Sequence, residues 1–329
     1  MIAEVIVEAA VSLGAFGLAF GAGLAIASKK FYVYVDPKEI AVNDVLPGVN
    51  CGACGYPGCG GFAHAVVVGD TEVNGCIAGG SSVTESIATV MGVAAIAKEK
   101  MVAHPMCHGG LKHAVERFDY DGIGHCKAAV LVANGFKGCT HGCLGLGSCK
   151  IACPFNAIVI NDDHIPEIHP ERCTGCGKCV EVCPKNIMEL VNPNKNKVYI
   201  QCRSHERGKV VKSKCTVGCI GCKACHKFCP YDAVIFENNL AQIDYSKCRS
   251  CGVCAVKCKP NTILDTVPTR TKAVVIAERC TGCGACTTVC AFKAPSGEEG
   301  HVHKIDEGKC IGCGACIDKC PEKTIVRKL

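Results

Sequence analysis

Residues 219–258 read CIGCKACHKFCPYDAVIFENNLAQIDYSKCRSCGVCAVKC. Two runs of C-x2-C-x2-C-x3-C lie in this stretch: Cys219, Cys222, Cys225, Cys229 and Cys248, Cys251, Cys254, Cys258. Three thiols spaced by two residues wrap one corner of a small cluster through turns of backbone. The fourth is too far round to reach the same centre, so it reaches the neighbouring one. Two runs therefore make one folding unit with two centres. The same run recurs at Cys173, Cys176, Cys179, Cys183, at Cys280, Cys283, Cys286, Cys290 and at Cys310, Cys313, Cys316, Cys320. A wider variant, Cys139, Cys143, Cys149, Cys153, comes first, so there are five regular runs and one irregular run.

This is the bacterial ferredoxin spacing for [4Fe–4S] ligation. A lone C-x-x-C would suit zinc or a redox dithiol. Zinc sites use two C-x2-C halves rather than triplets with a displaced fourth thiol. Of 329 residues 32 are Cys, none is Trp and only 5% are aromatic. The length allows about two or three domains and, with these runs, argues against a secreted disulfide scaffold. So few large apolar side chains imply small modules that fold around metal, with cluster binding as part of the folding free energy. The formal charge of +6 is offset once clusters are counted. Each oxidised cubane with four thiolates carries about −2, so eight would bring the chain to about −10. Nucleic-acid binding is a poor reading of this basicity, and no nucleic-acid partner is expected. No P-loop, Gly-rich nucleotide fingerprint, flavin motif or Ser/His/Asp constellation is present.

Residues 9–28 carry no charge, and twenty helical residues span about 30 Å, one bilayer core. Glu4 and Glu8 in place of basic residues disfavour a signal peptide. Lys29 and Lys30 follow at once and place the rest of the chain in the cytoplasm by the positive-inside rule. The protein is then single-pass in the inner (cytoplasmic) membrane. Gly17 and Gly21 offer a small-residue face for a membrane partner. Residues 31–50 read as a linker punctuated by Pro37 and Pro47. Cys51, Cys54, Cys59 and Cys76 follow among glycines, and one [4Fe–4S] cluster is the best reading, with zinc as the alternative. Residues 81–103 look like a spacer helix.

Cys107, Cys126, Cys202 and Cys215 stand outside any run. Isolated cysteines are usually buried small hydrophobes, but the count argues otherwise. The ferredoxin crossover joins Cys153 to Cys173, Cys176 and Cys179, and Cys143 and Cys149 to Cys183. The middle position of that second set is Leu146, and Cys139 is the nearest substitute. Cys107, Cys126, Cys202 and Cys215 then remain for a further cluster, though Cys139 can exchange places with one of them. All 32 cysteines are thus candidate ligands, for about eight [4Fe–4S] clusters. Each ferredoxin half should run strand, cysteine turns, short helix, strand. AIVIN, AVIFENNLAQID and TIVRKL look like such strands. Pro154, Pro184, Pro230 and Pro321 follow fourth cysteines and turn the chain into a following short helix. Lys259 and Ala291 break that pattern and predict corners of different geometry. Residues 203–214, RSHERGKVVKSK, read as a solvated basic hairpin, or as a docking patch for an acidic carrier.

The order of an apolar helix, C-x2-C-x4-C-x16-C, GCLGLGSCKIACPFNAI, CTGCGKCVEVCPKN and VGCIGCKACHKFCPYDAV resembles the B subunit of the Rnf-type ferredoxin:NAD+ oxidoreductase. The resemblance runs to about residue 265; the final pair of runs is similar to an extra ferredoxin module carried by some members. It implies a subunit that accepts electrons from reduced ferredoxin and relays them to membrane subunits carrying flavins and the NAD site, within an ion-pumping complex. No bond-making active site is expected on this chain. The rivals are a polyferredoxin subunit of a hydrogenase or heterodisulfide reductase, and a catalytic cubane lacking its fourth thiolate. The fold class is α+β: one N-terminal transmembrane helix, a small [4Fe–4S] module, then tandem bacterial-type 2[4Fe–4S] ferredoxin domains. The expected divisions are 1–30 anchor, 31–80 N-terminal module, 81–216 spacer helix and variant ferredoxin domain with an extra cluster, 217–265 ferredoxin domain and 266–329 C-terminal ferredoxin domain.

Deleting residues 1–30 should give a soluble, brown, redox-active protein. Membrane fractionation checks this, and persistent membrane association would show that the anchor lies elsewhere.

Overall fold

A computed structural model of the chain describes residues 2–31, 34–96, 98–267 and 269–328. The first element is one helix, Ile2–Lys30. Its segment Ala10–Lys30 is long and apolar enough to cross a membrane, and none of it is buried by the other described residues. Leu13, Phe16, Leu18, Phe20 and Leu24 all stand exposed on it. The side chains of Glu4 and Glu8 lie outside the described residues.

Three helices, Pro37–Val45, Cys59–Val68 and Gly80–Met91, then pack around Val42, Phe62, Ala63 and Ile87. The first of them corrects the expected linker. Pro37 opens the helix at a position whose N–H needs no partner, and Asp36 caps it by accepting from the Lys38 N–H at 2.8 Å. The expected spacer over 81–103 is also cut short. The helix stops at Gly92 (φ 70°), and Val102–Pro105 is a strand.

From there the chain repeats one design three times. A first strand pairs antiparallel with a last strand, and an inner strand pair lies between them. Val102–Pro105 pairs with Met188–Val191 around Ile158–Ile160 and Pro166–Ile168. Val198–Ile200 pairs with Ile263–Asp265 around Val234–Glu237 and Leu240–Ile243. Ala273–Val275 pairs with Ile325–Arg327 around Pro295–Ser296 and Lys304–Ile305. The expected strands in AIVIN, AVIFENNLAQID and TIVRKL are present. AVIFENNLAQID is a hairpin turned by Asn238 and Asn239, both at positive φ, as a tight two-residue loop requires. Each unit has a thin core in which thiols take the place of large side chains. Cys225 and Cys254 are buried with Val198, Val234 and Ile263; Cys286 and Cys316 are buried with Ala273 and Ile325.

The cysteine turns are alike in all six runs. A short helix carries the third cysteine, as in Lys178–Val182 and Ala315–Lys319. The helix therefore precedes the fourth cysteine and does not come after the proline as expected. Beyond the fourth cysteine lies a corner whose third residue is left-handed: Asn156, Asn186, Asp232, Asn261, Lys293 and Lys323 have φ between 49° and 55°. Lys259 and Ala291 do not alter this corner, because its shape is set by the residue three beyond the cysteine. Asn and Asp tolerate that conformation best.

The basic segment is a helix, Gly208–Lys214, not a hairpin. Val211 is buried under it and Lys214 pairs with Glu206 at 2.6 Å.

Candidate iron–sulfur centres

Five cavities are each framed by four thiols. They hold Cys219, Cys222, Cys225 and Cys258; Cys107, Cys139, Cys202 and Cys215; Cys280, Cys283, Cys286 and Cys320; Cys126, Cys143, Cys149 and Cys183; and Cys290, Cys310, Cys313 and Cys316. The remaining cysteines approach one another in three more sets. These are Cys51, Cys54 and Cys59 with Cys76, Cys153 with Cys173, Cys176 and Cys179, and Cys229 with Cys248, Cys251 and Cys254. In each pair of runs the fourth thiol crosses to its neighbour's set. Grouped in this way, every set has four thiols and no cysteine belongs to two of them.

One assignment changes. Cys126, not Cys139, completes the set of Cys143, Cys149 and Cys183, the exchange that the spacing left open. The reason is packing. Helix Cys126–Leu131 buries Ala129 against Phe136 and Leu144. The Cys126 N–H donates to Ser148 Oγ at 2.7 Å, which holds Cys126 next to Cys149. Cys139 is drawn the other way. Residues 114–116 bridge to both Cys215 and Lys137, and the Gly138 N–H donates to Val115 O at 2.6 Å. Cys139 thus joins Cys107, Cys202 and Cys215. Cys107 lies two residues beyond its unit's first strand, and so does Cys202. This set therefore lies between two ferredoxin units.

The donors fit cubane clusters. The cavities offer four thiols and otherwise mostly apolar or glycine lining. Among the described residues no three Cys, His, Asp or Glu side chains are arranged to hold a single metal ion. Zinc would draw its sulfurs to about 2.3 Å from one point. Burial pushes the thiols of Cys202 and Cys316 up to about 12 and those of Cys149 and Cys225 up to about 11. Without a cluster these four thiols are protonated at neutral pH, and loading releases their protons.

The corners beyond the fourth cysteines aim backbone N–H groups at sulfur. Ala157, Ile187, Ala233, Ala294 and Thr324 donate to Cys153, Cys183, Cys229, Cys290 and Cys320 at 3.3–3.4 Å. Such bonds favour an anionic sulfur and tune a bound cluster.

Two lysines carry no signal in the sequence. Lys137 is 1% exposed, with its Nζ 3.1 Å from Gly109 O, and acts on both Cys107 and Cys143. Lys185 donates to Thr140 O at 2.6 Å and lies near Cys139 and Cys183. Both cations sit at the junction of the same two thiol sets, where they offset negative charge. Lys137 lies in no motif, and Lys185 lies in CTGCGKCVEVCPKN, whose spacing announces the cysteines and not a cation.

This is a multi-centre iron–sulfur protein of ferredoxin type. Residues 46–78 match the family described as a putative Fe-S cluster. Residues 138–187, 172–234 and 272–324 each match a 4Fe-4S dicluster domain, and 245–261 match a 4Fe-4S binding domain. The chain is 45% identical over 251 residues to the B subunit of the Na(+)-translocating ferredoxin:NAD(+) oxidoreductase complex of Acetobacterium woodii, covering 76% of this chain and 75% of that one. It is 40% identical over 260 residues to the B subunit of the ion-translocating oxidoreductase complex of Methanosarcina acetivorans, covering 79% and 98%. It is 42% identical over 250 residues to the B subunit of the proton-translocating ferredoxin:NAD(+) oxidoreductase complex of Clostridium ljungdahlii, covering 75% and 88%. The chain belongs to this family of B subunits, and it carries a C-terminal dicluster module.

Cys126→Ala and Cys183→Ala should remove or convert the same cluster signal, whereas Cys139→Ala should pair with Cys215→Ala. Iron content with low-temperature EPR checks this. Matching losses for Cys139→Ala and Cys183→Ala would restore the assignment expected from spacing.

Proposed function

We propose that this chain is the membrane-anchored electron relay of an ion-translocating ferredoxin:NAD+ oxidoreductase complex. It takes electrons from reduced ferredoxin and passes them to partner subunits that carry the flavins and the NAD site. About eight [4Fe–4S] clusters, one per thiol set, would be held by the 32 cysteines. When bound, each cluster takes up or releases one electron with no bond made or broken.

The observation that carries this reading is the order of the sets. Cys51 of the N-terminal set is within electrostatic reach of Cys176. Cys149 is within reach of Cys179. The Cys143 N–H donates to Cys107 Sγ at 3.4 Å. Cys219 bonds to Cys202 through its backbone. Cys225 reaches Cys254, and Cys313 reaches Cys251. Helices Ala285–Val289 and Ala315–Lys319 pack the last two sets together around Cys286 and Cys316. These neighbours support a reading in which the sets succeed one another in a single line. Its first member lies in the module next after the apolar helix.

The protein's part is to fix these separations and to keep water from the line. At the join to the C-terminal module, Tyr231 donates to Asp318 at 2.8 Å. Lys257 lies between Phe228 and Phe292, 4.8 and 4.4 Å from their ring centroids. Lys29 and Lys30 favour the cytoplasmic side for everything beyond the helix.

In the assembled complex, Cys54→Ser should interrupt the line at its N-terminal set. Reduced ferredoxin should still bleach the iron–sulfur absorbance of the chain, while NAD+ reduction falls to background. Undiminished NAD+ reduction, with iron loss verified, would contradict the relay order.

A further inference from the structure

We propose that the loop Cys219–Lys223 is where an acidic one-electron carrier protein docks and delivers its electron, part-way along the line and not at its C-terminal end. This rests on the relay reading above. Among the described residues, only two cysteines are exposed, Cys222 and Cys283. Electron transfer weakens steeply with distance, so these two edges are where a carrier's own centre can come close.

The two edges differ in charge. Lys223 adopts a left-handed conformation (φ 58°) and lays its Nζ over the Phe236 ring, 4.9 Å from the centroid. Its ammonium is thereby held on the residue next to Cys222. Helix Gly208–Lys214 starts against the same loop, so closely that any side chain at Gly208 would collide with the Ile220 carbonyl. That contact brings Arg207 and Lys209, both exposed, to the rim. Glu206, the carboxylate of that segment, is engaged by Lys214 at 2.6 Å. The turn Asn238–Asn239 closes the rim, with Asn239 Nδ2 donating to His205 O at 3.2 Å. Glu237 is the exposed acid there.

The Cys283 edge carries acids on its rim, beside exposed Arg279 and Lys323. The Gly300 N–H donates to Gly282 O at 3.1 Å, which seats the turn 298–301 on the Cys283 loop. That turn carries exposed Glu298 and Glu299, and Glu322 lines the adjoining cavity. An acidic carrier is drawn to the first edge and repelled from the second.

The step balances simply. The carrier is oxidised by one electron and the centre framed by Cys219, Cys222, Cys225 and Cys258 is reduced by one; no bond changes and no proton moves. Three sets then lie beyond this inlet, away from the N-terminal module. They form a branch to the relay instead of its start.

The test uses the full chain in the assembled complex and an acidic 2[4Fe–4S] ferredoxin as probe. Zero-length carbodiimide cross-links to the oxidised probe should map to Lys209 and Lys223. The combined Arg207→Glu, Lys209→Glu, Lys223→Glu variant should slow oxidation of the reduced probe about tenfold at about 50 mM salt and little at about 500 mM. Glu298→Lys with Glu299→Lys should leave that rate unchanged. Iron content equal to wild type and full reduction by dithionite show that each variant is intact. Cross-links confined to the C-terminal module, or a rate altered only by the glutamate reversals, would overturn the proposed inlet and keep the relay. A wild-type complex that does not oxidise the probe at all would remove the donor reading and this proposal with it.

Discussion

The gathering of thiols in groups of four is the constraint on which the rest of this structure depends. The chain has no Trp and few large apolar residues, and each ferredoxin unit rests on pairs of short strands. Such pairs are marginal by themselves. The cysteines stand where core side chains would, and the turns between them dictate the backbone. Metal loading and folding are one event in such a design, so an error in one thiol set is an error in the fold around it.

Electrostatics obeys the same constraint. A file of anionic centres repels itself unless cations are set along it. Lys137 and Lys185 supply them at the junction of the first ferredoxin unit with the bridging set, and Lys257 lies at the join to the C-terminal module. Part of the positive charge is therefore structural. The basic edge near Cys222 is different in kind, because its charges face outward beside an exposed thiol.

Much of the architecture is legible in the sequence because ferredoxin spacing encodes pairing directly. Cys229 and Cys258 must cross over, since neither reaches its own triplet's centre, and they do. The paired strands are announced by the short apolar runs after the cysteines. The features that the sequence hides are set by contacts remote along the chain. Cys126 and Cys139 are each a plausible filler for the gap at Leu146, and only the packing of helix Cys126–Leu131 and the bridge from Ala114 to Cys215 decide between them. Pro37 reads as a break, although it opens a helix that buries Val42. The alanine-rich stretch after Met91 suggests more helix than Gly92 permits. Residues 203–214 look solvated until Val211 is seen to be buried. Lys259 and Ala291 look like lost prolines, but the left-handed residue three past the cysteine sets the corner.

The central claim is that every cysteine belongs to a four-thiol set and that each set holds a cubane. Iron, acid-labile sulfide and zinc per chain on anaerobically purified protein test it most directly. The account predicts about 32 iron and about 32 sulfide with no zinc, from eight cubanes. About 28 iron, or zinc in place of some, would contradict it. Cys107, Cys139, Cys202 and Cys215 would then be a structural or zinc-bound set between two ferredoxin units, and the line of centres would be broken there.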